Sequence, residues 1–323
     1  MTELSKSSKH ARTIPSTGSL VVDASEKYPG SFANISSAVL NLHNNTNPQT
    51  IFIFPGKYVE QVHIKSLLGP LTIQGYTQDA RSYEENEVTI SYNLSRQNPN
   101  LTNNDQTSTV RLWTSNVKFY NLDIANTFGQ AESKGQALAL SAQKTNQGFY
   151  GCRFTGYQDT IYANEGRQIY AKSYVNGAVD FIFGLRASAW FDKIDIEVIG
   201  EGWITANGRE AANNTSFYVF NKVNVTGGEP NTVYLGRPWR DFSRVVFQRS
   251  YLGDVVRPEG WAAWDEEQNL ENISYGEFKN HGPGAVIANR ANFSTQLKNP
   301  IKAAEILGNK FEKEFWVDET YLS

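Results

Sequence analysis

One cysteine, one methionine and four histidines are all this chain has of the residues that most often carry disulfide, redox or metal chemistry. Cys152 has no second cysteine to bond, so stability has to come from packing rather than cross-links. His10, His43, His63 and His281 lie far apart, and no Cys or His pair has metal-ligand spacing, so neither a metal nor a cofactor is expected. A Ser-His-Asp hydrolase is disfavoured as well, since no serine stands in a Gly-x-Ser-x-Gly elbow. Basic blocks are also missing: 30 Lys and Arg are dispersed among 33 Asp and Glu, giving a net charge of −3, and nucleic acid is not an expected partner. The polar residues 1–18 hold no apolar run able to span a bilayer or serve as a signal core. They read as a flexible N-terminal segment ahead of a single domain over 19–323, with no membrane partner.

What is present is apolar and repetitive. With 40% hydrophobic, 13% aromatic and 20% charged residues, the 323-residue chain has the material for a large core, and all-β domains often run this long undivided. A six-residue pattern of alternating apolar positions starts at Phe119, Phe149, Ile169, Phe191, Phe220 and Phe247, at intervals of 30, 20, 22, 29 and 27 residues. Such intervals leave no room for crossover helices, so the economical reading is all-β, a single-stranded right-handed parallel β-helix. Turns are expected at Asn126-Thr127, Asn176-Gly177 and Asn207-Gly208. A sandwich or antiparallel barrel is the alternative, but hairpin dipeptides at its usual spacing are mostly missing.

Helical periodicity is confined to the ends. Residues 31–42 place Phe32, Ile35, Val39 and Leu40 on one face, as an N-terminal helix capping the open solenoid would. A short second helix is expected from Pro300, with Ala303, Ala304, Ile306 and Leu307, followed by an aromatic tail around Phe315 and Trp316 that packs along the outside.

Gln136, the pair Gln158-Asp159 and Asp180 recur at steps of 22 and 21 residues. Twenty-odd residues is about one coil, and coils stack at roughly 4.8 Å, so two carboxamides and two carboxylates fall into one cluster. With no histidine there, any nucleophile is a carboxylate or a water that a carboxylate activates. Two carboxylates one strand spacing apart resist ionising together, and a nearby cation decides which one does. Arg237, in Tyr234-Leu235-Gly236-Arg237-Pro238-Trp239, is the candidate: it would hold one aspartate charged while the other keeps its proton.

Five segments now stand out together: Gly56-Lys57-Tyr58-Val59-Glu60, Gly135-Gln136-Ala137-Leu138-Ala139-Leu140, Gly156-Tyr157-Gln158-Asp159-Thr160-Ile161, Asp180-Phe181-Ile182-Phe183-Gly184 and Leu235-Gly236-Arg237-Pro238-Trp239. In this order they resemble pectin methylesterases of the fungal or microbial type, over roughly residues 19–318, with 204–209 and 260–264 in support. The resemblance implies a right-handed parallel β-helix and hydrolysis of galacturonate C6 methyl esters in pectin, with release of methanol. It implies that Asp180 attacks the ester carbonyl, that Gln136 and Gln158 donate to the oxyanion, that Asp159 is general acid and then base, and that Arg237 orients Asp180. Ile161 and Asn207 depart from the commoner Leu and Gln of the family, and Asn207 is a candidate for an altered groove contact.

Tyr162, Phe183, Trp239 and Trp264 lie close to these motifs and are candidate faces for pyranose rings and methyl esters. Cys152 reads as core, Glu60 and Tyr58 as structural, and Asp265-Glu266-Glu267 as a solvated loop. The competing functions are a pectin depolymerase, lyase or polygalacturonase, and a non-catalytic carbohydrate-binding solenoid. Sequons at Asn34, Asn44, Asn93, Asn100, Asn213, Asn214, Asn224, Asn272 and Asn292 suit a secreted glycoprotein. A monomer acting on the pectin polysaccharide is expected.

Overall fold

Phe119, Phe149, Tyr170, Phe191, Phe220 and Phe247 stand side by side on neighbouring strands in the computed structural model of the chain, which describes residues 10–323. From Phe149 to Phe247 the successive ring centres are 4.3 to 4.7 Å apart and nearly parallel. That is the spacing of paired strands, so one inward aromatic per coil builds a continuous stack through the core. The register places Tyr170, not Ile169, at the head of the third repeat, because Ile169 points the other way into the outer cluster.

Three faces of parallel strands wrap this core in a parallel β-helix. The first face has eleven strands, running from Leu20–Val22 to Ser294–Gln296. The second and third belong to one 13-stranded sheet, because the strands Tyr174–Gly184 and Asp195–Asn207 bend round the corner between them. Tyr174 pairs with Arg153 on the second face, while Ile182 pairs with Ile161 on the third. Asn176-Gly177, expected as a turn, lies inside that long strand, where it pairs with Glu197 and Val198. A strand that stays paired through the corner has no need of a turn there.

The N-terminal helix is shorter than its periodicity suggested, covering Ile35–Leu40. The Asn34 side chain accepts from the Ser37 backbone N–H and starts it, so Phe32 falls outside and instead bridges Val22. Ile35 and Ala38 face the core, whereas Leu40, expected on the buried face, is 84% exposed. Glu60 completes the cap: its carboxylate accepts from the N–H groups of Ile35 and Ser36, each at 2.8 Å, an anion at a helix N-terminus.

At the other end the helix Ala303–Leu307 and the tail lie on the outside of the first face. Trp316 is fully buried there, its carbonyl accepting from the Tyr150 hydroxyl at 2.8 Å, while Arg167 holds both oxygens of Glu314 at 2.6 Å. Of the expected flexible segment 1–18, residues 1–9 lie outside the described residues. Arg12 pairs its backbone with Thr77 at 2.9 and 3.0 Å, and its guanidinium donates to Asn121 at 2.6 Å, so this part of the lead-in is tied to the solenoid.

Candidate active site

Asp159 and Asp180 sit on adjacent coils at the corner between the second and third faces, and both have left-handed backbones, with φ of 64° and 50°. Asp tolerates that conformation better than most residues. Around Asp180 the ladder to the next coil slips, between Gly177 and Val179 and again between Val179 and Ile182. Such an irregularity turns a side chain out of the regular alternation, here toward the outer surface of the third face. Gln158 bridges Val179, and the Asp159 N–H donates to the Val179 carbonyl at 3.1 Å, which locks the two coils together at this point. Gly135 leaves the space Gln158 needs, since a Cβ there would stand 2.7 Å from the Gln158 Oε1.

Arg237 follows the strand Val233–Gly236, two coils beyond Asp180. Its Nε donates to Asp180 Oδ1 at 2.9 Å and its Nη2 to Oδ2 at 2.6 Å, a two-bond fork that fixes the plane of the carboxylate. Trp203, on the intervening coil, lies under the guanidinium, and Trp264 closes over it. Asp159 has a different partner: Asn104 Nδ2 donates to its Oδ2 at 3.0 Å. Asn104, Gln136, Gln158, Asp159, Asp180, Phe183, Ala206, Arg237, Trp239 and Trp264 together line a cavity of about 250 Å³.

Burial pushes both aspartates above the usual carboxylate range, but their neighbours separate them. At Asp180 the Arg237 hydrogen bonds and charge oppose the burial. At Asp159 the facing Asp180 adds to it, so Asp159 is raised well above its ordinary value. A proton on the pair is therefore favoured on Asp159, and the charge on the carboxylate beside Arg237. A charged oxygen and a proton donor facing one small cavity are the parts acyl transfer requires.

The Pectinesterase family model matches residues 20–314. The chain belongs to the pectinesterase family. It is 43% identical over 321 residues to a pectinesterase of Aspergillus niger, covering 96% of this chain and 94% of that protein. A pectinesterase of Aspergillus aculeatus is 42% identical over 322 residues, with the same two shares of 96% and 94%. The solved pectin methylesterase of Aspergillus niger in deglycosylated form superposes with a TM-score of 0.88 at 33% identity, over 97% of this chain and 100% of that one. As a pectinesterase, the protein is a carboxylic ester hydrolase.

In this pectinesterase the five motif residues Gln136, Gln158, Asp159, Asp180 and Arg237 meet in one cavity. Among the described residues neither Gln136 nor Gln158 has a hydrogen-bond partner for its carboxamide, so both face the cavity with donors to spare. Phe183, Trp239 and Trp264 line the cavity too, whereas Tyr162 lies one coil back, stacked on Phe183 at 4.3 Å. Asn207 is fully buried, with its amide donating to Ser216 and its carbonyl accepting from the Arg244 N–H, so it makes no groove contact. Cys152 is buried in the core, and burial pushes its thiol up to about 12. Two residues of the site carried no expectation. Asn104 enters from the loop between the strands Val88–Tyr92 and Val110–Leu112, and Trp203 from the strand Asp195–Asn207, one residue ahead of the supporting segment 204–209.

Proposed function

We propose that this pectinesterase hydrolyses the C6 methyl esters of galacturonate units in pectin, releasing methanol and leaving pectate, with Asp180 as nucleophile and Asp159 as general acid and base. The observation that carries the division of roles is the fork from Arg237 to Asp180, set beside an Asp159 that faces the charge of Asp180. An Asp180 oxygen bonds to the ester carbonyl carbon, and the carbonyl oxygen, now negative, takes hydrogen bonds from Gln136 and Gln158. As the carbon to methoxy-oxygen bond breaks, Asp159 gives its proton to that oxygen and methanol leaves. Asp159, now a carboxylate, draws a proton from water, whose oxygen attacks the anhydride between Asp180 and the sugar. The bond to Asp180 then breaks, and both aspartates return to their starting states.

Trp239 and Trp264, at the rim of the cavity, supply flat apolar faces for sugar rings and for the methyl group. The reading extends to a secreted, glycosylated, monomeric protein with one catalytic domain over 19–323. Of the nine sequon asparagines, all but Asn214 are exposed, and among the described residues no helix is long and apolar enough to cross a membrane.

The experiment is a methanol assay on highly methylated pectin with Asp180→Asn as the control. The wild-type protein is expected to release methanol without new reducing ends or unsaturated products, and Asp180→Asn to fold and bind pectin while losing at least about a thousandfold in kcat. Turnover by that variant near the wild-type rate would remove Asp180 from the nucleophile's role.

A further inference from the structure

Asn104 sits two coils before Asp159 and reaches it across the coil that carries Gln136. It opens the 3-10 turn Asn104–Thr107, and that turn is held from several sides. Asn103 accepts from the Gln106 N–H at 3.2 Å, Thr107 donates to the Asn104 carbonyl at 2.8 Å, and Gln61 donates to the Gln106 carbonyl at 2.9 Å. The carboxylate of Asp105 is gripped by Arg111 at 2.6 and 2.9 Å and by the Trp113 indole at 3.0 Å. A side chain carried on such a turn arrives with little freedom left to lose, as a group that sets geometry should.

We propose that Asn104 is a positioning residue for Asp159: its amide holds Oδ2 as the accepting oxygen, confines the acid proton to Oδ1, and steadies the carboxylate left when that proton has gone. The argument rests on the role given to Asp159 above. An amide N–H donates, so the oxygen it meets is the one without the proton, and a carboxylic acid has only one other oxygen to carry it. The 3.0 Å contact therefore selects between two otherwise equivalent oxygens. The proton that departs with methanol comes from Oδ1, and the same oxygen is the base that takes a proton from water. The chemical balance of the reaction is unchanged, since Asn104 neither gives up nor receives a proton.

The charged and titratable groups facing Asp159 are Asp180 on the following coil, Arg237 beyond it and Tyr162 on the strand that Asp159 leads into. Asp180 and burial favour the protonated form, and Arg237 and Asn104 favour the carboxylate. Removing the Asn104 donor therefore lets Asp159 keep its proton to higher pH. Ester cleavage, which needs the acid, continues further into alkali, and hydrolysis of the anhydride, which needs the base, slows most at acid pH.

The test is the pH dependence of methanol release by Asn104→Ala and by the isosteric Asn104→Asp, which offers an acceptor where a donor stood. Both variants should move the alkaline limb of kcat/KM upward by about one pH unit or more and lower kcat at acid pH about tenfold. A loss of activity with the alkaline limb unmoved in both would mean that Asn104 merely supports the loop, and the proposal fails. Should Asn104→Ala not fold, Asn104→Asp, with its unchanged shape, decides alone. Asp159→Asn run alongside separates the two ideas: if it keeps the wild-type alkaline limb, the role of Asp159 is wrong, whatever Asn104 does.

Discussion

Arg237 and Trp203 meet face on, the guanidinium carbon 3.6 Å from the centre of the indole, with Trp264 at 4.0 Å from the same carbon. Two rings that close cannot share one face of the guanidinium, so it is sandwiched. The sandwich strips water from the cation while leaving its edge free for the fork to Asp180. In the proposed mechanism Asp180 acts as a carboxylate, and Arg237 is what opposes the effect of burial on it. In Trp203→Leu the guanidinium gains water and freedom, so the Asp180 carboxyl should titrate at higher pH. The acid limb of kcat/KM should therefore move upward, with a fall of about tenfold at its optimum, the scale of one desolvated cation–π contact. Trp203→Phe, which keeps a ring face, should recover most of both. A pH profile of methanol release for the two variants checks this, and an unmoved acid limb in Trp203→Leu would show that the indole is only packing.

Asp159, in the role proposed for it, also sets up a conflict between stability and activity. Its carboxyl is raised well above the ordinary value by burial and by Asp180, whereas in the unfolded chain it titrates normally. A folded-state value above the unfolded one means that the folded form holds its proton more tightly. The stability this contributes is fully present below the unfolded value and is lost as pH rises through the folded one. At and above neutral pH the buried acid is thus a burden on the fold. Asp159→Asn removes it without changing shape, so its melting temperature should exceed that of the wild type at pH 7 and the gap should close near pH 3. Thermal melts of the two proteins at both values test this, and equal melting temperatures at pH 7 would contradict it.

How much of this could be read in advance depended on whether a residue belongs to the repeat. Asp159 and Asp180 stand once per coil at the same corner, so their spacing of 21 residues becomes a stack in space. The aromatic column from Phe119 to Phe247 was legible for the same reason, and the single slip, Ile169 for Tyr170, arose because both residues of that pair are apolar and buried. Asn104 escaped because it sits in the long connection between Val88–Tyr92 and Val110–Leu112, whose length is not tied to the coil. Trp203 does keep register, with Val179 and Tyr234, but its contact is with an arginine on the next coil, and no periodicity in the chain marks a stacked pair of that kind. Leu40 was misjudged because helical spacing alone does not say where a six-residue helix begins; Asn34 and Glu60 decide that through hydrogen bonds.

The far end of the aromatic column makes the last case. Phe247 pairs with Glu277, so an acidic side chain takes the next place in a stack of rings, and it is buried. Arg290 answers it: Nε donates to Glu277 Oε1 at 2.7 Å and Nη2 to Oε2 at 3.2 Å, with side-chain exposures of 5% and 2%. Trp261 and Asn280 also donate to this carboxylate, both at 3.3 Å. Trp261 leads three residues on to Trp264, the upper ring of the Arg237 sandwich, so the ion pair anchors both the end of the core and the lid of the site. Arg290→Met leaves a buried carboxylate with two long hydrogen bonds, which should cost about 3–5 kcal/mol of stability. The double variant Glu277→Gln Arg290→Met, with no charge left to strand, should regain at least half of that loss. Urea unfolding of the two variants beside the wild type measures both quantities. If Arg290→Met cost less than about 1 kcal/mol, the pair would be behaving like an exposed surface bridge, and its role as an anchor would have to be abandoned.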